Sequence, residues 1–243
     1  MTRFTTGLMA AIALVVCINS AFAIEVFHNG TSVFREDWEG GTHQNFPPGW
    51  AQGGAAASET WVWDTTVSTI HGAPAIEGDK YLYMGNNCCA NGNLLRNIGQ
   101  LVGGTVRAEW MAWMVSNHTD AIGGTIALRT DGPGENRAGV SWNRVTSTHA
   151  DANGTDTGIA IIPEQWQEWA VDYDLNANTF TVSIDGQTSP VINGGTAGPA
   201  NIGEVLLAAT FRDFIIDAVI IPEPASMALL GLGGLMLLRR RSA

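Results

Sequence analysis

Nine tryptophans in 243 residues are the side chains best equipped for chemistry in this chain, and that chemistry is stacking. An exposed indole lies flat against a sugar ring, whereas a buried one fills a core. Four are placed where a face could be open. Trp61 and Trp63 share one face of a short strand and flank a valine expected to point outward, Trp142 alternates with Val140, and Trp166 opens a strand. The adjacent cysteines Cys88 and Cys89 form a second group, inside the turn-rich stretch 85–93. In an oxidising compartment they read as a vicinal disulfide flooring a ligand site, as a metal-binding dithiol, as a plain turn staple, or as two free thiols.

Acid–base chemistry is harder to find. Glu164 and Glu168 flank Trp166, Glu109 stands alone in its strand, and the five histidines are scattered through loops. No H-E-x-x-H or G-x-S-x-G run occurs, and no glycine-rich loop precedes a helix to cradle phosphate. The sequence therefore predicts no catalytic residue and no enzyme. The sequons at Asn29, Asn117 and Asn153 read as chance in an Asn/Thr-rich chain.

The elements that must position these residues are strands. Between Ile24 and Ile221 no stretch has a helical period. Short runs rich in Val, Ile, Thr, Trp and Phe alternate with Gly, Asn, Asp and Pro clusters, which predicts an all-β antiparallel sandwich. Strands are expected at residues 31–39, 61–63, 80–84, 105–115, 125–129, 138–143, 205–209 and 214–221, with 105–115 central and 150–158 an exposed loop. The clearest segment is 164–186. Trp169, Val171 and Tyr173 share one face, a turn follows at residues 174–178, and Phe180, Val182 and Ile184 repeat the face before Asp185-Gly186 turns again. That is a β-hairpin with one apolar side.

Both ends carry signals. Arg3, the apolar run from Gly7 to Ile18 and the A-x-A pattern Ala21-Phe22-Ala23 predict a secretory signal peptide, handled by the Sec translocon and a signal peptidase that cuts after Ala23. The domain plan is then 1–23 signal peptide, 24–221 β-sandwich and 222–243 tail. In the tail, Pro222 and Pro224 fix φ and remove two backbone donors around Glu223. No charge follows until Arg239–Arg241. As a helix, the run from Ala225 to Leu238 spans about 21 Å against about 30 Å of bilayer hydrocarbon, short for a lasting span. The arginines favour the cytoplasmic side. Pro222-Glu223-Pro224, the glycine-leucine run and the arginine cluster together resemble the PEP-CTERM sorting signal of Gram-negative and related bacteria. That resemblance implies export, cleavage near Pro-Glu-Pro by an exosortase-type enzyme, and delivery to the cell envelope or extracellular matrix, with the short C-terminal hydrophobic helix as a transient or permanent membrane anchor.

Charge narrows the partners. Removing Arg3 and Arg239–Arg241 leaves eight basic residues against twenty-three acidic, a formal −15. Such a surface repels phosphate backbones, which excludes nucleic acid.

The hairpin 165–186 is similar to the concanavalin A-like lectin/glucanase jelly roll, and within it to laminin-G-like members, where a Trp precedes one strand and the partner strand ends in Asp-Gly. Asp37-Trp38-Glu39 and Pro48-Gly49-Trp50, paired with an acid in the last strand, add to the likeness. The resemblance implies a jelly-roll β-sandwich, and a structural Ca²⁺ between the first and last strands at the matching positions Glu39 and Asp217. Calcium takes about six to eight oxygens, so backbone carbonyls would have to complete the site; the plainer alternative is Asp217 hydrogen-bonded to backbone. Retaining glucanases of this fold carry an E-x-D-x-x-E strand, and no such run is present. The reading is an exported, non-catalytic envelope or matrix protein, with a polysaccharide-binding lectin-like module as the alternative and a divergent glycan hydrolase behind it.

Overall fold

Three Asx-Gly pairs set the register of three hairpins. Asn29-Gly30, Asn153-Gly154 and Asp185-Gly186 have φ of 50° and 76°, 48° and 79°, and 48° and 76°. Positive φ at both central positions is the mark of the type I′ turn, whose twist matches that of the strands it joins. The sequons at Asn29 and Asn153 are therefore by-products of hairpin chemistry.

The structure, a computed structural model, describes residues 21–22, 24–53, 59–76, 78–85, 92–115, 124–130, 135–142, 149–195, 201–209, 214–217 and 219–220. These form strands throughout, with no helix among the described residues. The first six are β1 (Ala21–Phe22), β2 (Ile24–His28), β3 (Thr31–Glu36), β4 (Ala51–Gly53), β5 (Glu59–Asp64) and β6 (Lys80–Gly85). Next come β7 (Gly92–Val102), β8 (Thr105–Met114), β9 (Gly124–Arg129), β10 (Asn136–Trp142), β11 (His149–Ala152) and β12 (Thr155–Ala160). The last are β13 (Trp166–Asp174), β14 (Thr179–Ile184), β15 (Gln187–Thr188), β16 (Ile192–Asn193), β17 (Asn201–Ala209), β18 (Phe214–Asp217) and β19 (Val219–Ile220).

They build a two-sheet antiparallel sandwich. One sheet runs β12-β11-β10-β9-β17-β7-β4; the other runs β15-β14-β13-β8-β18-β6-β5, with β16 on β14 and β2 and β3 added beside β8. Strand β8 is the spine of the second sheet. One edge pairs with β13 from Thr105 to Trp113, and its other edge is shared end to end by β2 and β18. On β8, Val106, Ala108, Trp110, Ala112 and Met114 are buried and face the other sheet, while the alternating residues face outward. Five of the nine tryptophans, Trp38, Trp50, Trp110, Trp142 and Trp169, lie in the core between the sheets. Trp110 and Trp169 stack there with centroids 6.1 Å apart.

The expected hairpin is present in the expected register, Trp169 opposite Ile184, Val171 opposite Val182 and Tyr173 opposite Phe180. Other expectations change. Residues 150–158 are not a loop: β11 and β12 form a hairpin about Asn153-Gly154, with Thr157 buried on the inner side and its hydroxyl donating to Ala150 O at 2.8 Å. The strand expected over 31–39 stops at Glu36, because Trp38 takes φ 59° and turns its indole into the core. Strands β2 and β7 went unpredicted. The expected C-terminal helix lies outside the described residues.

Candidate functional site

The outward face of the larger sheet gathers four of the nominated side chains, Trp61, Trp63, Trp166 and Asp217. Antiparallel register lines them up in rows across the strands. One row reads Trp166, Trp113, Ile215, Tyr83, Trp61; the next reads Glu168, Met111, Asp217, then Tyr81 and Trp63. A third holds Ala170, Glu109, Glu25 and Arg35, and a fourth holds Asp172, Arg107 and Phe27. The face thus has an aromatic half and a charged half.

The four remaining tryptophans, Trp61, Trp63, Trp113 and Trp166, make the aromatic half together with Tyr81 and Tyr83. Trp61 and Trp63 stack at 6.3 Å with 25° between planes, and Trp113 meets Trp166 edge-on at 5.7 Å. The valine between Trp61 and Trp63 points the other way from expectation: Val62 is fully buried in the main core, so the indoles are the outward residues. Their polar handles hold the chain's own connection between β5 and β6. Trp63 Nε1 donates to Ser68 O at 2.7 Å, Trp166 Nε1 donates to Pro74 O at 2.9 Å, and Ile70 N–H donates to the Tyr81 hydroxyl at 3.0 Å. Burial raises the Tyr81 pKa, with nearby Asp217 pushing the same way against the amide of Ile70. Trp61 on the outermost strand β5 is half-buried, and its indole nitrogen makes no hydrogen bond among the described residues.

In the charged half every carboxylate of the Glu25–Glu109 row has an arginine. Arg35 Nε donates to Glu25 Oε1 at 2.6 Å, and Glu25 is 1% exposed. Arg107 donates to both Glu109 and Asp172. Burial works against the Arg107 guanidinium, but the hydrogen bonds to Asp172 and Glu109 outweigh it and hold its pKa above the ordinary value. Sequence spacing could not pair Glu25 with Glu109, because only the ladder between β2 and β8 brings them opposite. Trp113 was also missed; the alternation along β8 that puts it on the face of Arg107 and Glu109 was the available signal.

The other nominated residues are distributed differently. Trp142 is 4% exposed in the main core and offers no open face. Glu39 and Asp217 both accept backbone amides. Glu39 Oε1 accepts the amides of Asp79 and Lys80 at 3.2 and 3.0 Å, while Lys80 Nζ donates to Glu39 O at 2.8 Å. Asp217, fully buried, accepts the Ile76 amide on Oδ2 at 2.6 Å. One oxygen of each carboxylate thus accepts backbone amides, which for Asp217 is the plainer alternative to a calcium site. Among the described residues, no three His, Cys, Asp or Glu side chains gather as metal ligands. Two shallow clefts of about 270 and 290 Å³ both use the exposed Val191, and none of the nominated tryptophans lines either. Ala21 lies in β1; Ala23, Cys88, Cys89, Pro222, Glu223 and Pro224 lie outside the described residues.

Residues 221–242 match the PEP-CTERM protein-sorting motif. The motif implies exosortase processing, export and sorting to the cell surface. No curated protein matches the chain in sequence. Among solved structures the chain is similar to a sialidase, with TM-score 0.50 and 8% identity over 70% of this chain, and it spans only 16% of that sialidase. It is also similar to the Emp47p carbohydrate recognition domain, with TM-score 0.47 and 12% identity over 75% of this chain and 90% of that one. An endo-acting O-glycanase of the human gut microbiota gives TM-score 0.48 and 14% identity over 76% of this chain and 96% of that one. At 8% identity the likeness to the sialidase is one of fold alone.

Proposed function

We propose that the chain is an exported, non-catalytic β-sandwich protein of the cell envelope or extracellular polymer matrix, held briefly at the membrane by its tail and then released. The sorting motif at residues 221–242 supports the destination. The observation that supports the non-catalytic reading is the engagement of five carboxylates on or beside the outward face of the larger sheet, with the exposed Glu168 left outside the set. Glu25, Glu109 and Asp172 are bound by arginines, and Glu39 and Asp217 by backbone amides. A general acid or base must be free to exchange a proton with substrate, and these groups spend their lone pairs inside the protein.

A second reading, polysaccharide binding, is favoured by Trp61. It stands on the outermost strand, half-buried, backed by Trp63 and by Tyr83 at 6.4 Å, with no hydrogen bond on its indole nitrogen among the described residues. One experiment separates the readings. Protein recovered from the native cell surface is analysed by intact mass, then tested for binding and for reducing-end release on acidic and neutral polysaccharides. The first reading expects a trimmed chain, no release and no binding. Binding lost in Trp61→Ala supports the second reading, and sugar release overturns both.

A further inference from the structure

The connection between β5 and β6 lies across the aromatic half and is tied to it through its own main chain. Trp63 Nε1 donates to Ser68 O, the Ile70 amide donates to the Tyr81 hydroxyl, Trp166 Nε1 donates to Pro74 O, and the Ile76 amide donates to Asp217 Oδ2. Its side chains add little cover. Of residues 65–76 only Ala73 is buried, in one cluster with Trp63, Tyr81, Tyr83 and Ile215, while Ile70 and Ala75 pack half-buried against that cluster. Residues 66–69, Gly72 and Pro74 are exposed. His71 and Gly72 turn the chain there, with φ of 49° and 72°.

Against the same cluster packs a donor with nothing to bind. Trp113 Nε1 is buried and has no acceptor among the described residues, although Trp63 and Trp166 on the same face each have one. A buried donor left without an acceptor is costly. The rings also reach further than the connection's contacts. Trp166, Trp113, Tyr83 and Trp61 fall in one row that crosses β13, β8, β18, β6 and β5, about 19 Å at about 4.8 Å per strand. Tyr81 and Trp63 stand beside them in the next row. The charged side chains in these two rows, among the described residues, are Glu168 and Asp217, both acidic.

We propose that the β5–β6 connection is an autoinhibitory strap over a platform for a neutral polysaccharide chain: the sugar chain enters as the strap lifts, lies along the row of rings, and presents an oxygen to Trp113 Nε1. The inference deepens the polysaccharide-binding reading and rests on it. An indole offers an apolar face to a sugar ring and an N–H to an oxygen. Lifting the strap releases the indole N–H groups of Trp63 and Trp166 and the hydroxyl of Tyr81, and sugar hydroxyls suit all three. With one buried side chain, the strap is held mainly by hydrogen bonds, and exchanging those for bonds to water or sugar changes the balance little. Glu168 and Asp217 in the two rows repel a carboxylated chain, which leaves a neutral one.

The chain and its variants are recovered from the exporting host and mixed with mixed-linkage β-glucan, xylan and galactomannan as neutral probes and with polygalacturonate as the acidic one. Calorimetry measures binding, and amide exchange is followed at Ile70 and Ala73, whose N–H groups bond Tyr81 and the Ile70 carbonyl. At least one neutral probe is expected to bind and to quicken exchange at both amides at least fivefold, with polygalacturonate doing neither. Ala73→Asp, which sets a charge where the strap packs, should bind that probe at least fivefold more tightly. Trp113→Phe, which keeps a ring and removes the donor, should leave the Tm of the free chain in place and weaken binding at least threefold. Binding that leaves exchange at Ile70 and Ala73 unchanged or slower overturns the strap and spares the polysaccharide reading. No binding of any neutral probe, by the unsubstituted chain or by Ala73→Asp, overturns both. Tighter binding of polygalacturonate overturns the assignment to neutral chains, and undiminished binding by Trp113→Phe overturns the role given to its indole. Should Ala73→Asp fail to fold, the unsubstituted chain alone decides.

Discussion

Glu25 and Glu109 stand directly opposite each other on adjacent strands, facing the same side of the sheet, and each is held by a different arginine. Like charges placed opposite in a ladder repel, so Arg35 and Arg107 make this row tolerable. Arg35→Ala leaves Glu25 buried at 1% exposure without its counter-ion. Removing one partner of a fully buried pair costs about 3–5 kcal/mol, and the half-exposed Arg35 brings the expectation down to about 2 kcal/mol. Urea denaturation measures it. The double substitution Arg35→Ala with Glu25→Gln should recover much of the loss; if it does not, the arginine acts through packing.

The indole donors of Trp63 and Trp166 pin the β5–β6 connection. Trp63→Phe and Trp166→Phe each remove one bond to a carbonyl, an expected loss of about 1 kcal/mol. Amide exchange should quicken at Ile70 and Ala73 while that of β13 stays slow. Trp110→Ala, in the core stack, should cost about 3–5 kcal/mol and quicken exchange throughout the sandwich rather than at one connection.

Asn153 does two jobs in its turn. At φ 48°, its Oδ1 accepts the Gly139 amide at 2.8 Å and its Nδ2 donates to Arg137 O at 3.0 Å. Asn153→Ala loses both bonds and places an alanine in the left-handed region, for a loss of roughly 2–3 kcal/mol by thermal unfolding. Asn153→Gly should recover the backbone part only.

Alkaline pH gives a further test. Burial raises the pKa of both Tyr81 and Tyr173 above 10.0. The folded chain then holds these protons more tightly than the unfolded chain. Their effect on stability is absent below the ordinary tyrosine pKa and becomes a growing loss as pH rises through the folded values. Tm should be flat in this respect up to about pH 10 and fall beyond it. An ultraviolet absorbance titration should show phenolate appearing late, and Tyr173→Phe should soften the fall.

Local patterns carried much of the fold. The β13–β14 hairpin was legible because its apolar residues alternate without a break and Asp185-Gly186 fixes the turn. The β11–β12 hairpin was not, because only Ile159 of its inward residues is large and apolar, while Ala150, Ala152 and Thr157 are too small or polar to stand out in a stretch of Asp, Asn and Gly. Burial of Trp142 and the sense of Val62 depended on which sheet face meets its partner, a fact about pairing rather than spacing. The candidate site was half legible for the same reason. Trp61, Trp63 and Trp166 were named, yet their convergence with Trp113, and the opposition of Glu25 and Glu109, exist only once β8 has neighbours. Asp217 was singled out as an acid in an apolar strand, and the Ile76 amide of the chain itself is among its partners.

The short ladder between Ala21–Phe22 and Val219–Ile220 brings the way in and the way out of the sandwich to one corner. Joining those ends through a brief linker and opening the chain at the Asp185-Gly186 turn would give a permuted molecule with every long ladder intact.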